Sequence, residues 1–372
     1  MVCPDRLTIL RRSFTGLLLA LCSTAVVGEE SLPVEAQDAG ARMERIAEGT
    51  YVIIHDDATD EWPHGNTGVI VGDDSALVID STYLPSRARA DVVLIRSLTD
   101  KPVRYLVTTH WHFDHNNGAI AYKEAYPGVA VVSERETRSF IDINSNYWSK
   151  MSSASGSSRR ASLEELKDQL ASGGADSDGI PGAAERARFE RAVRLRESEL
   201  AELATLEVVT PDLVFDGTLT LDLGGRTVEL QDRGRANSPH DVTAYVADER
   251  VLFAGDILVQ APVPYFFASW PVPWIAVLRD IEQLPVTAVV PGHGPVMRDH
   301  AYARQVRALL EAVTRQVTNL AREGKTLDEV KKSIDVRDLR VAPWDEASDE
   351  DWELTLRILT ERSWYGVRGQ SG

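Results

Sequence analysis

The chain has 372 residues, 43% of them hydrophobic, and its 57 Asp and Glu against 40 Lys and Arg give a net charge of −17. That apolar content over that length supports one large domain or two smaller ones and excludes a wholly disordered chain. The acidic balance repels nucleic-acid phosphates, so a nuclease role or any nucleic-acid partner is not expected.

Arg6, Arg11 and Arg12 precede an apolar stretch, 17–27, that ends at Gly28-Glu29-Glu30. This is the layout of a secretory signal over residues 1–28, and the expected product is exported, to the periplasm or beyond. The stretch is shorter than the ~20 apolar residues of a membrane span, so no membrane contact is expected after its removal. Arg11-Arg12-Ser13-Phe14 matches the core of a twin-arginine signal, a route that suits a protein exported with its metal already in place. Cys22 follows Leu21, too large a residue for a lipidation site, which favours a soluble product over an anchored one. Cys3 and Cys22 are the only cysteines, and both lie in this segment. Its removal leaves no thiol and a net charge of −19, so any metal in the mature chain must rest on nitrogen and oxygen donors.

A polar linker, 29–42, leads into the first strands, expected at 51–54, 68–71 and 76–80, with Asp73-Asp74 as a hairpin turn. Trp62, His64 and Asn66 lie before the second of these and are candidate substrate contacts. Residues 86–98 place Ala88, Val92 and Ile95 on one helical face. A buried strand at 103–108 then runs into a histidine cluster, followed by a helix over 117–126. Composition shifts over 145–206, read as a helical insertion on the outside of the domain. Its Ser-rich start, 152–158, and the stretch 173–181 look like flexible connections; Ser162-Leu163-Glu164-Glu165 reads as a capping box opening one helix, and 183–206 as a longer helix of alternating charge.

Strands resume at 219–223, 226–231, 243–246, 251–254 and 288–291, with Gly224-Gly225 and Asp248-Glu249 as turns. Arg233 and Arg235 are candidates for holding a substrate carboxylate, or else solvated strand-end residues. Tyr265-Phe266-Phe267, Trp270 and Trp274 either line an apolar pocket or close the core. From His300 the chain reads as helical throughout, a C-terminal extension over 301–372, with Thr326-Leu327-Asp328-Glu329 as a further capping box. Two strand-rich halves with helices between them give an α/β sandwich, and no solenoid repeat is present.

The chemistry concentrates at His110-Trp111-His112-Phe113-Asp114-His115. Following a strand, these side chains project from a strand-to-helix loop, where sites are commonly built. Three imidazoles and a carboxylate within six residues are costly to gather without a cation to share. His110 and His112 can face one cation while Asp114 and His115 turn toward a second.

With this H-x-H-x-D-H run the sequence resembles the metallo-β-lactamase superfamily, and other pieces fall in that family's order. Asp80 resembles the aspartate that supports the metal loop, Asp256 in Gly255-Asp256 the aspartate that bridges two metals, and His293 in Pro291-Gly292-His293-Gly294 the last histidine, on the second metal. The resemblance covers 43–300 and implies a four-layer αββα sandwich with the site at one edge of the two sheets. One ligand departs from the pattern. Where the family has the third histidine of its first metal, this chain has Asn237, with His240 at the usual glycine, so either Asn237 takes that ligand place through its amide oxygen or His240 swings in. An amide oxygen is a weak donor, which would loosen the first site or favour a harder ion.

The cofactors implied are two divalent ions, zinc first, with iron or manganese as alternatives. Such a pair lowers the pKa of water from ~15.7 toward ~7, supplying a nucleophile that Asp114 would help orient, while the developing oxyanion is stabilised by the first cation. The expected function is hydrolysis of a small ester, lactone, thioester or cyclic amide outside the cytoplasm. A β-lactamase without a cysteine ligand is one alternative, and a non-catalytic metal- or ligand-binding protein of the same fold is another. A di-iron oxidoreductase is disfavoured, because that branch carries a carboxylate where His112 stands.

Overall fold

The computed structural model describes residues 41–55, 64–171, 183–260, 263–264 and 266–369. The expected signal segment, Trp62, Tyr265 and the stretch 173–181 lie outside the described residues. Among the described residues no helix is long and apolar enough to cross a membrane.

Two mixed sheets face each other. The first runs in chain order through β1 (Ala41–Ala47), β2 (Thr50–His55), β3 (Thr67–Val71), β4 (Ala76–Ile79), β5 (Val103–Val107), β6 (Ala130–Glu134) and β7 (Leu213–Phe215). It is antiparallel up to β4 and parallel from β4 onward. The second has β8 (Thr218–Asp222), β9 (Thr227–Asp232), β10 (Val242–Val246), β11 (Val251–Val259) and β12 (Ala288–His293), antiparallel except for the β11–β12 pair. The edge hairpin β8–β9 alternates as a half-buried pair should, with Leu221, Val228 and Leu230 inward and Thr220 and Glu229 outward. Gly224 and Gly225 both take positive φ, as the two-residue turn between those strands requires.

The inner layer is aliphatic. Val52, Ile54, Ile70, Leu77, Ile79, Val107 and Val132 from the first sheet meet Val228, Leu230, Val242, Ala244, Phe253 and Val290 from the second. Alternate residues of the first sheet point to its other face. There lies α1 (Pro85–Leu98), whose Asp91 is bound by Thr67 of β3 and His55 of β2, and which packs against α3 (Ala119–Ala125) behind the short α2 (Phe113–Asn116). Residues 117 and 118 part α2 from α3, and the helix expected over 117–126 is observed as α3.

The insertion is a helical hairpin, α4 (Arg135–Ala171) and α5 (Ala183–Ala204). It starts earlier than residue 145, and 152–158 continue the helix, contrary to the flexible connection expected. Ser162 likewise sits inside α4 and opens nothing. Leu163 is buried and Lys167 reaches Glu197 of α5, so contact with a partner helix sustains what the local Ser content would not. The hairpin docks on the domain through Glu199, which accepts from Tyr83 Oη, and Glu202, which accepts from Ser86 N.

Covering the second sheet are α6 (Pro271–Ile281), α7 (Ala301–Arg322), α8 (Leu327–Lys331) and α9 (Asp349–Val367). The C-terminal stretch is therefore not helical throughout, since two short 3₁₀ turns separate α8 from α9. Nor does it stand apart: Trp344, Trp352, Leu359 and Trp364 share one core with Leu252, Ala254 and Val289 of the sheet. The capping box at Thr326 forms with both of its hydrogen bonds.

Candidate metal centre

The strand ends set the geometry. β4 and β5 lie parallel, so their C-terminal ends open on the same edge. Asp80, just past β4, takes a φ of 61°, a conformation rare outside glycine that turns its carboxylate back across the sheet edge. Its Oδ1 accepts from Thr109 N at 2.8 Å and its Oδ2 from Thr109 Oγ1 at 2.8 Å. The same Oδ2 lies 2.8 Å from His115 Nδ1.

These contacts fix two tautomers. Neutral His115 must carry its proton on Nδ1 to meet Asp80, which aims the Nε2 lone pair into the site. Thr109 gives its hydroxyl hydrogen to Asp80 and so can only accept from His110 Nδ1, 3.0 Å away. His110 Nε2 is thereby a lone pair as well. Asn116 Nδ2 donates to the carbonyls of Trp111 and His112 at 2.8 and 2.7 Å, pinning the loop between the imidazoles.

The predicted residues from distant strands then converge. Donor atoms of His110, His112 and Asp256 lie within 4.8 Å of one another, as do those of Asp114, His115 and His293. His110 Nε2 stands 2.9 Å from His112 Nδ1, and His115 Nε2 stands 3.3 Å from His293 Nε2. Asp256, on β11 between the trios, turns one oxygen to each: Oδ1 is 3.2 Å from His115 Nε2 and 3.5 Å from His293 Nε2, whereas Oδ2 is 3.5 Å from His110 Nε2. Asp114 Oδ2 lies 3.1 Å from His293 Nε2.

Two features fit a pair of cations. With Nδ1 of His115 committed to Asp80, a second imidazole nitrogen at 3.3 Å from its Nε2 is best accommodated by a shared positive centre. Asp256 Oδ1 is also fully buried without a hydrogen-bond partner, a costly state for a carboxylate oxygen unless something positive takes it up.

Electrostatics agree. Burial, with His110 beside it, pushes the His112 pKa down to about 3, so this imidazole stays neutral and able to ligate. Burial acts to raise the Asp114 pKa, but His115 and His293 draw it well below the usual carboxylate range. For His115, burial opposes charge, yet Asp256, Asp114 and Asp80 together raise its pKa well above the ordinary value in the metal-free protein. A proton on His115 therefore competes with a cation. Calorimetric titration of zinc into metal-free protein at neutral pH, run in buffers of different ionisation enthalpy, is expected to show proton release. Apparent affinity should fall about tenfold per pH unit for each proton displaced. Affinity independent of pH, with no proton released, would count against this arrangement.

Asn237 is buried at the site, where its amide Nδ2 donates to Asp256 Oδ2 at 3.3 Å. His240 does not swing in. Its Nδ1 lies 3.3 Å from both oxygens of Asp232 and 3.8 Å from Glu134 Oε2, so those carboxylates, and neither trio, hold it.

Other candidates are also reassigned by their contacts. Asn66 donates its amide to the carbonyls of Pro291 and Gly294, bracing the loop around His293. His64 is buried against Thr82 and Tyr83. Trp274, bonded to the Ile257 carbonyl, and Phe266 belong to the core. Arg233 is tied to Thr243, and Arg235 lies over the Trp270 ring. Beside His112 the half-buried Trp111 stacks on Phe140 of α4, 6.0 Å between ring centroids, a wall that sequence reasoning missed because its two halves are far apart in the chain. Thr109 was missed as well, since a threonine ending a strand carries no signal until Asp80 is seen beside it.

A sequence profile described as the Metallo-beta-lactamase superfamily matches residues 60–317, well over half of the chain. The chain belongs to the metallo-β-lactamase superfamily. Among curated relatives of this superfamily chain, the linear primary-alkylsulfatase of Pseudomonas sp. (strain ATCC 19151) is 22% identical over 286 residues, 72% of this chain and 49% of the relative. The chain thus spans about half the length of that relative. Similar solved structures include a metallo-beta-lactamase from Pontibacter korlensis, with 18% identity, a TM-score of 0.48 and coverage of 73% of this chain and 99% of that one. The DIM-1 metallo-beta-lactamase has 14% identity, a TM-score of 0.49 and coverage of 73% and 97%. Two mixed sheets layered with helices are this superfamily's architecture.

Proposed function

We propose that the chain is an exported hydrolase dependent on two divalent ions, acting on a small ester, lactone, thioester or cyclic amide. His110, His112 and Asp256 would hold the first ion, and Asp114, His115, His293 and Asp256 the second. The observation that carries this reading is the placement of Asp256, one carboxylate oxygen toward each trio. Zinc suits these nitrogen and oxygen donors best, with iron or manganese as alternatives. Bound there, the ions would lower the pKa of water toward ~7 and withdraw electrons from the group under attack.

The chain's own residues account for the rest. Asp80 and Thr109 keep His115 and His110 in the tautomers that aim Nε2 inward. Asn237 holds Asp256 Oδ2 by a hydrogen bond and is given no ligand role. Asp114, held as carboxylate, can accept a proton or a hydrogen bond from an attacking water. Trp111 and Phe140 offer an apolar wall beside His112, which favours a substrate with an apolar portion. An alkyl sulfate ester joins the candidate substrates on the strength of the Pseudomonas relative's name.

The test combines elemental analysis with a hydrolysis screen of purified protein against lactones, thioesters, carboxylate and alkyl sulfate esters, and nitrocefin. Two metals per chain with turnover lost in His112→Ala support the proposal. One tightly held metal without turnover in any assay would instead mark a binding protein of this fold. Sequencing the N-terminus of the exported product tests cleavage near Gly28.

A further inference from the structure

Outside the central cluster, a further set of ligand-type side chains converges among the described residues. Glu134 closes β6, Asp232 closes β9 and His240 lies in the loop leading to β10. One donor atom from each lies within 4.8 Å of the other two.

The spacing is informative. A proton shared between nitrogen and oxygen brings the two atoms to roughly 2.7–3.2 Å, whereas ligands about 2.1 Å from a tetrahedral zinc stand about 3.4 Å apart. His240 Nδ1 is 3.3 Å from each oxygen of Asp232 and 3.8 Å from Glu134 Oε2. The two Asp232 contacts are long hydrogen bonds at the spacing of tetrahedral ligands and within the 3.1–3.5 Å nitrogen-to-carboxylate range of the central cluster, while Glu134 at 3.8 Å lies beyond hydrogen-bond reach of the imidazole. Charge points the same way. Two carboxylates are held together, the Glu134 side chain only 3% exposed, and Glu136 adds further negative potential at His240. One imidazolium offsets a single carboxylate, while a divalent ion offsets both. The Asp232 and His240 side chains, 17% and 30% exposed, leave a path from solvent.

We propose that Glu134, Asp232 and His240 form a third divalent-cation site, separate from the central pair and suited to zinc. Its ion would brace the loop that carries Asn237. Glu134 Oε2 also accepts from Thr137 N at 2.9 Å at the start of α4, Thr137 Oγ1 donates to the His240 carbonyl, and Asp232 Oδ1 accepts from Gly234 N. A cation here would thus join the insertion to the edge of the central site.

Full-length protein equilibrated with zinc(II) and dialysed is assayed for bound zinc per chain by elemental analysis. Wild type is compared with His240→Gln, Asp232→Asn and Glu134→Gln, each checked for folding by circular dichroism. The expected result is one zinc fewer per chain in every folded variant. Because the difference carries the test, it reads independently of whether the central pair fills or any substrate turns over. Equal zinc in wild type and the folded variants overturns the proposal and leaves His240 as an imidazolium paired to two carboxylates.

Discussion

Asp256→Ala is expected to lower hydrolysis by on the order of 10³-fold or more and to reduce bound metal at both positions. The magnitude follows from comparison with residues one step removed. Replacing a side chain that merely orients a ligand costs about 10- to 100-fold in affinity or activity, which is the range expected for Asp80→Asn. Asp256 faces both trios directly, and its carboxylate is drawn well below the usual range by His115, His293 and His110 despite burial that acts the other way. Its loss leaves those imidazoles without their central counter-charge. In contrast, His112→Ala removes a donor from the first trio alone, so it should spare the second ion. Activity within tenfold of wild type, or metal unchanged by elemental analysis, would contradict the role given to Asp256.

Gly292→Ala is expected to abolish most activity in a chain that still folds. A Cβ at Gly292 would overlap Asp256 Oδ1 and stand 2.9 Å from Asp256 N, closer than real Cβ atoms approach. Backbone is the obstacle on one side and the carboxylate on the other, so the side chain is what yields. Displacing a catalytic group by about 1 Å costs on the order of 10²-fold in rate. Gly324→Ala is the control: nothing lies within 4 Å of its Cβ, and although its φ of 81° makes the change mildly strained, it sits at the end of α7. Steady-state kinetics and melting temperature on the two variants separate the effects. Full activity in Gly292→Ala would mean that the packing of β12 against β11 does not set the Asp256 carboxylate.

Much of the site was legible because its ligand-type residues are encoded locally or in a fixed order. Four of them sit within six positions, and Asp80, Asp256 and His293 each close or follow an apolar run that reads as a strand. What was not legible depends on which strands end beside one another. Thr109 relays Asp80 to His110 only because β4 and β5 are parallel neighbours, and Trp111 gains Phe140 only because α4 returns across the loop. The choice between Asn237 and His240 was open for the same reason. Asp232 and Glu134, distant from each other in sequence, claim the imidazole and leave the amide facing Asp256.

The fold divides similarly. Alternation exposed β8 and β9, while β6 and β7, short and packed within a parallel run, lacked any period that marks a strand. Serines at 152–158 suggested a break, yet α4 is sustained by its packing on α5. Whether Trp274 and Phe266 lined a pocket or closed the core was open in the sequence; α6 carries Trp274 into the core, and Phe266 packs edge-on against it.

Hydrolysis by this chain requires, on this reading, two neighbouring cations, one within each trio. Anomalous diffraction at the zinc edge from crystals of the zinc-loaded full chain tests it most directly. One peak is expected among His110, His112 and Asp256 and a second among Asp114, His115 and His293, with Asp256 reaching both. No density at either trio, or a lone ion touching only one of them, would contradict it.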